Sequence, residues 1–199
     1  MQDERGQDDG DAEASLLPLF LKLAGRTVLV VGAGPVAERK VESLLEAKAE
    51  VRLVAPEATD ALRRLAGEGH VDWRARGFDE ADLDGAWLVF AATSDPETQV
   101  RVGREATARR VFCVAVDDPP NASAYSGSLV RRPPFTVAIS SGGATPALTR
   151  LVREVIEHVL PGRDWVDHAT RLRAKWLAEG TPIADRFAEL VRDVKGDAR

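Results

Sequence analysis

The chain predicts an α/β fold, parallel strands wound with helices, and three observations carry that expectation. From Arg26 to Asp118, short apolar runs alternate with amphipathic stretches of helical period. A glycine turn, Gly32-Ala33-Gly34, joins the first apolar run directly to the first amphipathic stretch. After Asp118-Pro119-Pro120-Asn121 the alternation stops, and a different strand–turn–helix follows at Ala138–Leu148.

Each element follows from local pattern. Thr27–Val31 is apolar throughout, as a strand buried on both faces requires. Pro35–Ala49 is helical, with Val36, Val41, Leu44 and Leu45 on one face and Glu38, Arg39, Lys40 and Glu42 on the other. Val51–Val54, Val71–Arg74, Trp87–Ala92 and Val111–Val116 read as further strands, and Asp60–Glu68 and Glu97–Arg109 as helices. The result is a Rossmann-type parallel sheet. Beyond it, Ser128–Val130 and Phe135–Ile139 read as strands split by Arg131-Arg132-Pro133-Pro134. Pro146–Leu160 is helical, with Leu148, Leu151, Val152, Val155 and Val159 on one face, and Pro161-Gly162 stops it. Two amphipathic helices, about 163–178 and 182–195, close the chain, Thr181-Pro182 supplying an N-cap and a first-turn proline. The expected organisation is a disordered acidic leader (1–15), a dinucleotide-binding Rossmann domain (16–118), a small α+β dimerisation and substrate segment (119–160), and a C-terminal helical region (161–199).

Charge narrows the function classes. The 199 residues carry a net charge of −5. Asp3, Glu4, Asp8, Asp9, Asp11 and Glu13, against Arg5, account for all of it. The neutral remainder has no basic stripe of the kind nucleic acid requires. No apolar run reaches membrane-spanning length, and the start lacks the basic-then-apolar order of a signal peptide. The single cysteine, Cys113, excludes an intrachain disulfide and fits a cytoplasmic setting.

Two turns carry the chemistry. Gly32-Ala33-Gly34-Pro35-Val36-Ala37 is a G-x-G-x-x-A turn between a buried strand and a helix. Gly32 makes the tight turn, Gly34 lets a pyrophosphate approach the backbone, and Ala37 lets the helix pack closely on the sheet. Glu57 is the nearest acid to the end of the second strand, where a ribose is recognised. No arginine pair stands there for a 2′-phosphate, so the turn points to NAD. Thr93-Ser94-Asp95 ends the fourth strand and lines the same crevice. The second turn, Ser140-Ser141-Gly142-Gly143, offers backbone N–H groups and two hydroxyls at a helix start, an anion site. Two anion sites imply a cofactor and a separate polyanionic substrate.

Asp117, at the end of the fifth strand, is the candidate general base. On strand-like backbone Asp117 and Asp118 point to opposite faces, so they do not form a dyad, and Asp118 reads as a turn former before Pro119. Tyr125 has Leu129 rather than Lys four residues on, which excludes the Tyr-x-x-x-Lys pair. His70, His158, His168 and Cys113 lack metal-site spacing, so no metal site is expected.

From Leu17 to Pro161 the chain resembles the precorrin-2 dehydrogenase and sirohydrochlorin ferrochelatase family, which includes the N-terminal half of siroheme synthase. The carriers are Leu17-Pro18-Leu19-Phe20, Val30–Lys40, Ala91-Ala92-Thr93-Ser94-Asp95, Val116-Asp117-Asp118-Pro119, and Ala138–Gly143 leading to Arg150-Leu151-Val152-Arg153-Glu154. The resemblance implies NAD-dependent oxidation of precorrin-2 to sirohydrochlorin towards siroheme or cobalamin, and leaves metal insertion open. It also implies a homodimer joined through the segment after Asp118. It places the catalytic aspartate on Asp117, and on Ser141 a serine that some members phosphorylate. Precorrin-2 carries eight carboxylates, which Arg131, Arg132, Arg150, Arg153 and the Ser-Ser-Gly-Gly turn suit as anchors. The chain departs from the family's pattern at Lys48 (usually glycine), Gln99 (commonly asparagine), Val114 (usually asparagine) and Ala124-Tyr125-Ser126-Gly127-Ser128. Lys48 carries strain of about 1 kcal/mol where the backbone is left-handed. A non-catalytic NAD-sensing regulatory dimer is the alternative reading, and an oxidoreductase for another small substrate is a third. A sensor has no use for Asp117 or the second anion turn.

Overall fold

The computed structural model describes residues 16–133, 135–142, 145–160 and 163–196. The acidic leader, Pro134, Gly143 and the Pro161-Gly162 stop lie outside them. The chain divides into two compact units, one running to Tyr125 and the other starting at Ser126.

The first unit is a five-stranded parallel sheet in the order β3-β2-β1-β4-β5. Its strands are β1 (Thr27–Val31), β2 (Glu50–Val54), β3 (Val71–Arg74), β4 (Leu88–Ala91) and β5 (Phe112–Ala115). Its helices are α1 (Pro35–Glu46), α2 (Asp60–Gly67) and α3 (Pro96–Ala108). The period-2 alternation of a strand sends Val28 and Val30 into one core, with Ala37, Val41 and Leu44 of α1 and Leu62 of α2. Leu29 and Val31 enter the other, with Val102 and Ala106 of α3. Both faces of β1 are therefore covered, which is why its sequence is apolar at every position.

Strand order reverses between β1 and β4. Such a switch point opens a crevice beyond the carboxyl ends of the strands, where doubly wound sheets take ligands.

The helix starts have local causes. Thr59 accepts a hydrogen bond from Leu62 N and caps α2, and Asp95 accepts one from Thr98 N and caps α3 ahead of Pro96. The α1 stop falls three residues earlier than the apolar pattern predicts. Lys48 takes a left-handed φ of 58°, and Lys48 N and Ala49 N donate to Leu45 O and Leu44 O. That is the helix-ending role a glycine ordinarily fills. Arg110, at φ 57°, ends α3 in the same way.

A buried carboxylate ties the β2–β3 edge to the 3-10 turn at Glu80–Leu83. Asp82 is 0% exposed and accepts two hydrogen bonds from Arg76 and one from Arg74. Arg52 donates to the carbonyls of Asp82 and Asp84. Burial would raise the Asp82 pKa, but its bonds from Arg76, Asp79 N and Arg74 bring it down to about 2.

The second unit pairs β6 (Ser128–Arg132) and β7 (Phe135–Ile139) as an antiparallel ribbon, followed by α4 (Pro146–Val159), α5 (Arg163–Glu179) and α6 (Ile183–Gly196). Gly127 is required before β6, because a Cβ there would lie 2.8 Å from Ile139 O. The α6 helix starts at Ile183, one residue after Pro182. Trp176 of α5 is buried and donates through Nε1 to Glu189 of α6 at 2.7 Å.

Candidate functional site

The glycine turn stands at the carboxyl end of β1. Gly32 has φ +97°, and a Cβ there would lie 2.4 Å from Ala92 O and 2.8 Å from Thr93 N. The turn after β1 is thus pressed against the end of β4, and glycine alone fits. Gly34 differs: its φ of −84° suits any residue, and a Cβ would meet nothing within 4 Å. It precedes α1 with open space in front, and no side chain caps the helix. Pro35 opens the helix, Val36 is half-buried, and Ala33 and Ala37 are buried. An uncapped helix start behind a side-chain-free, open position suits a pyrophosphate.

The loop after β2 is fastened to this turn. Thr59 N donates to Ala33 O at 3.1 Å, and Thr59 Oγ1 donates to Glu38 Oε2 at 2.7 Å. Glu57, in the same loop, is exposed. Sequence reasoning missed the Glu38–Thr59 pair, because 21 residues separate its members and neither belongs to the glycine motif.

On the other side of the switch point lies Thr93-Ser94-Asp95. Asp95 N donates to Thr93 Oγ1, and the Asp95 carboxylate accepts from Thr98 N and Thr98 Oγ1. Those bonds from Thr98 hold its pKa below the usual carboxylate range. The Asp95 carboxylate is thus engaged in capping α3, while Ser94 is exposed and Thr93 half-buried.

Asp117 is placed differently from the expectation. The β5 strand stops at Ala115, and Asp117 sits in a turn with φ +54° rather than on strand-like backbone. Strand alternation therefore has no bearing on how Asp117 and Asp118 diverge. Asp118 Oδ2 accepts from Asn121 Nδ2 at 2.8 Å, so Asp118 builds the turn. The Asp117 side chain is exposed, and no hydrogen bond among the described residues takes up its carboxylate. Gln99 Nε2 donates to Val116 O at 3.0 Å and steadies this turn from α3. Left-handed backbone at a non-glycine residue costs about 1 kcal/mol or more, and such residues cluster at functional sites. Lys48 and Arg110 owe theirs to helix ends; Asp117 follows a strand. Burial pushes the nearby Cys113 thiol up to about 11, so it is no nucleophile.

In the second unit, Gly142 has φ +64°, and Gly142 N donates to Ser140 Oγ at 3.2 Å. Ser141 Oγ accepts from Thr145 N at 3.2 Å and from Thr149 Oγ1 at 2.9 Å. Ser141 thereby ties the turn to the first residues of α4, and Thr149 is a partner that the motif did not announce. Gly143, the last residue of the predicted anion turn, lies outside the described residues. Arg150 pairs with Glu154 at 3.0 Å, and Arg153 with Glu157 at 2.5 Å. Arg132 donates to Leu160 O, and Arg131 is exposed.

The family described as putative NAD(P)-binding matches residues 19–128, the sheet and its crevice. The chain belongs to that family. Siroheme synthase 3 of Aeromonas hydrophila subsp. hydrophila is 46% identical over 145 residues, 73% of this chain and 31% of its own length. A siroheme synthase of Salmonella schwarzengrund is 44% identical over 172 residues, 85% of this chain and 38% of its own. The chain thus spans about a third of the length of the curated relatives it matches. The solved structure of SirC, precorrin-2 dehydrogenase, superposes with a TM-score of 0.73 at 20% identity, covering 89% of this chain and 88% of that one. At that identity the likeness establishes a shared fold.

Proposed function

We propose that this chain is an NAD-dependent dehydrogenase that oxidises precorrin-2 to sirohydrochlorin. The observation that carries the reading is the exposed, unengaged Asp117 carboxylate in its left-handed turn at the end of β5. Only β4 separates that strand from the one that ends in the glycine turn. Two strand spacings are roughly 10 Å, a span suited to a reacting centre held beside a dinucleotide. The siroheme synthase names of the relatives and the fold shared with SirC agree with it.

When bound, NAD supplies the hydride acceptor, and the balance is precorrin-2 plus NAD giving sirohydrochlorin, NADH and a proton. The chain's own part is to hold and to receive. Gly32, Ala33, Gly34, Pro35, Val36 and Ala37 form the pyrophosphate cradle, and Thr93, Ser94 and Asp95 form the opposite lip. Asp117 accepts or steers the proton released as the macrocycle is oxidised. Ser140, Ser141, Gly142, Gly143, Arg131, Arg150 and Arg153 take substrate carboxylates, Arg150 and Arg153 exchanging their intrahelical glutamates for them.

The working form is a homodimer. Leu148, Leu151, Val152, Val155 and Val159 make a continuous apolar stripe along α4, and all five are exposed in the single chain. A second copy covering that stripe removes it from water. No helix among the described residues is long and apolar enough to cross a membrane. The one cysteine is buried and free, which agrees with work in the cytoplasm.

The test is nicotinamide absorbance with enzymatically made precorrin-2 and NAD. One NADH per precorrin-2 consumed, with the sirohydrochlorin spectrum appearing, is the expected result. NAD binding without turnover would replace this reading with that of a dinucleotide sensor.

A further inference from the structure

The crevice leaves the choice between the two nicotinamide dinucleotides to one position, the ribose 2′ carbon. Sequence order nominates Glu57, but the geometry around the glycine turn favours another carboxylate. Glu38 lies in the first turn of α1, directly after the buried Ala37, and is half-buried. Its Oε2 accepts from Thr59 Oγ1 at 2.7 Å. Thr59 is itself fixed, because its N–H donates to Ala33 O and its hydroxyl oxygen accepts from Leu62 N at the head of α2. The Glu38 carboxylate is therefore a charge of set position between the glycine turn and the loop after β2. In the sheet order β2 flanks β1 on one side, and β4 and β5 lie on the other. Dinucleotide folds place the adenosine half on the β2 side. Glu57 is exposed and has no hydrogen bond among the described residues.

We propose that Glu38, held in place by Thr59, is the residue that makes this site prefer a dinucleotide with a free ribose 2′-hydroxyl over one with a 2′-phosphate. The inference rests on the dinucleotide reading above. A 2′-phosphate brings between one and two negative charges, and in a half-buried setting a neighbouring carboxylate repels it far more than in bulk water. An unrestrained glutamate would swing away from the phosphate, and the Thr59 hydroxyl removes that escape. A neutral 2′-hydroxyl is tolerated there and can donate to the carboxylate's remaining lone pairs.

Isothermal titration calorimetry on the full chain with NAD and with NADP reads this without any turnover. Wild type is compared with Glu38→Gln, Thr59→Val and Glu57→Gln, each with its thermal midpoint. Glu38→Gln keeps an acceptor for Thr59, so the fold is preserved. The expected result is a wild-type preference for NAD of about tenfold or more. Glu38→Gln should narrow it about tenfold, chiefly by tightening NADP, Thr59→Val should narrow it less, and Glu57→Gln should leave it within about twofold. An unchanged preference in Glu38→Gln, a preference moved by Glu57→Gln instead, or a wild type that binds both equally would overturn the inference. A wild type that binds neither would instead remove the dinucleotide reading itself, and the inference with it.

Discussion

Gly32 and Gly34 sit two residues apart and serve different ends, which substitution to alanine separates. At Gly32 the side chain meets the Ala92 backbone and a φ no alanine favours, so Gly32→Ala should cost about 3 kcal/mol and lower the thermal midpoint. At Gly34 the backbone suits alanine and the space is open, so Gly34→Ala should leave the midpoint within about 2 °C while weakening NAD at least about tenfold by calorimetry. Asp82 offers a residue-scale test in pH. Its folded pKa of about 2 lies below the 3.8 of an ordinary aspartate, so its contribution is complete above pH 4 and is lost as pH falls from about 4 to 2. With Arg74 and Arg76 partly solvated, that contribution is about 1–2 kcal/mol. Asp82→Asn should cost about 3 kcal/mol at pH 7, measured by urea unfolding, and flatten stability between pH 4 and 2. The glycines were legible in the sequence because a motif fixes their spacing. Asp82 was not: its partners are arginines 30, 8 and 6 residues away, each of which reads alone as a solvated charge.

At the scale of elements, the buried strands were read to within a residue or two at each end, because a parallel strand covered on both faces leaves an unbroken apolar run. The helix ends were harder. The apolar pattern runs on to Ala49, but the residue that stops α1 is Lys48, and a lysine gives no sign of a left-handed cap. Strain at that position was expected on the resemblance alone, and the φ of 58° bears it out. Lys48→Gly and Arg110→Gly should each stabilise the fold by about 1 kcal/mol, a rise in thermal midpoint of a few degrees, since both side chains are exposed. No gain at either site would mean that the side chain makes contacts worth as much as the strain. The turn at Asp117 escaped for a related reason: a strand that ends in a non-glycine left-handed residue looks, in sequence, like a strand that continues.

At the scale of the whole molecule, the chain pairs a dinucleotide fold with a second unit whose α4 stripe is legible as amphipathic and yet faces water in the single chain. Leu151→Glu should convert a dimer to a monomer in sedimentation equilibrium while leaving far-UV circular dichroism unchanged. A dimer that survives the change would place the interface elsewhere. What sequence left unread at this scale is that Glu154 and Glu157 already pair with Arg150 and Arg153, because the same arginines read equally well as free anchors. On the proposed mechanism, Asp117 handles the proton at a site the dinucleotide has already occupied. The most direct measurement compares NADH formation from precorrin-2 by wild type and Asp117→Ala, with NAD affinity determined for both. NAD affinity should be unchanged, and kcat should fall about 10²–10⁴-fold in the variant. Equal turnover by the two proteins would contradict it.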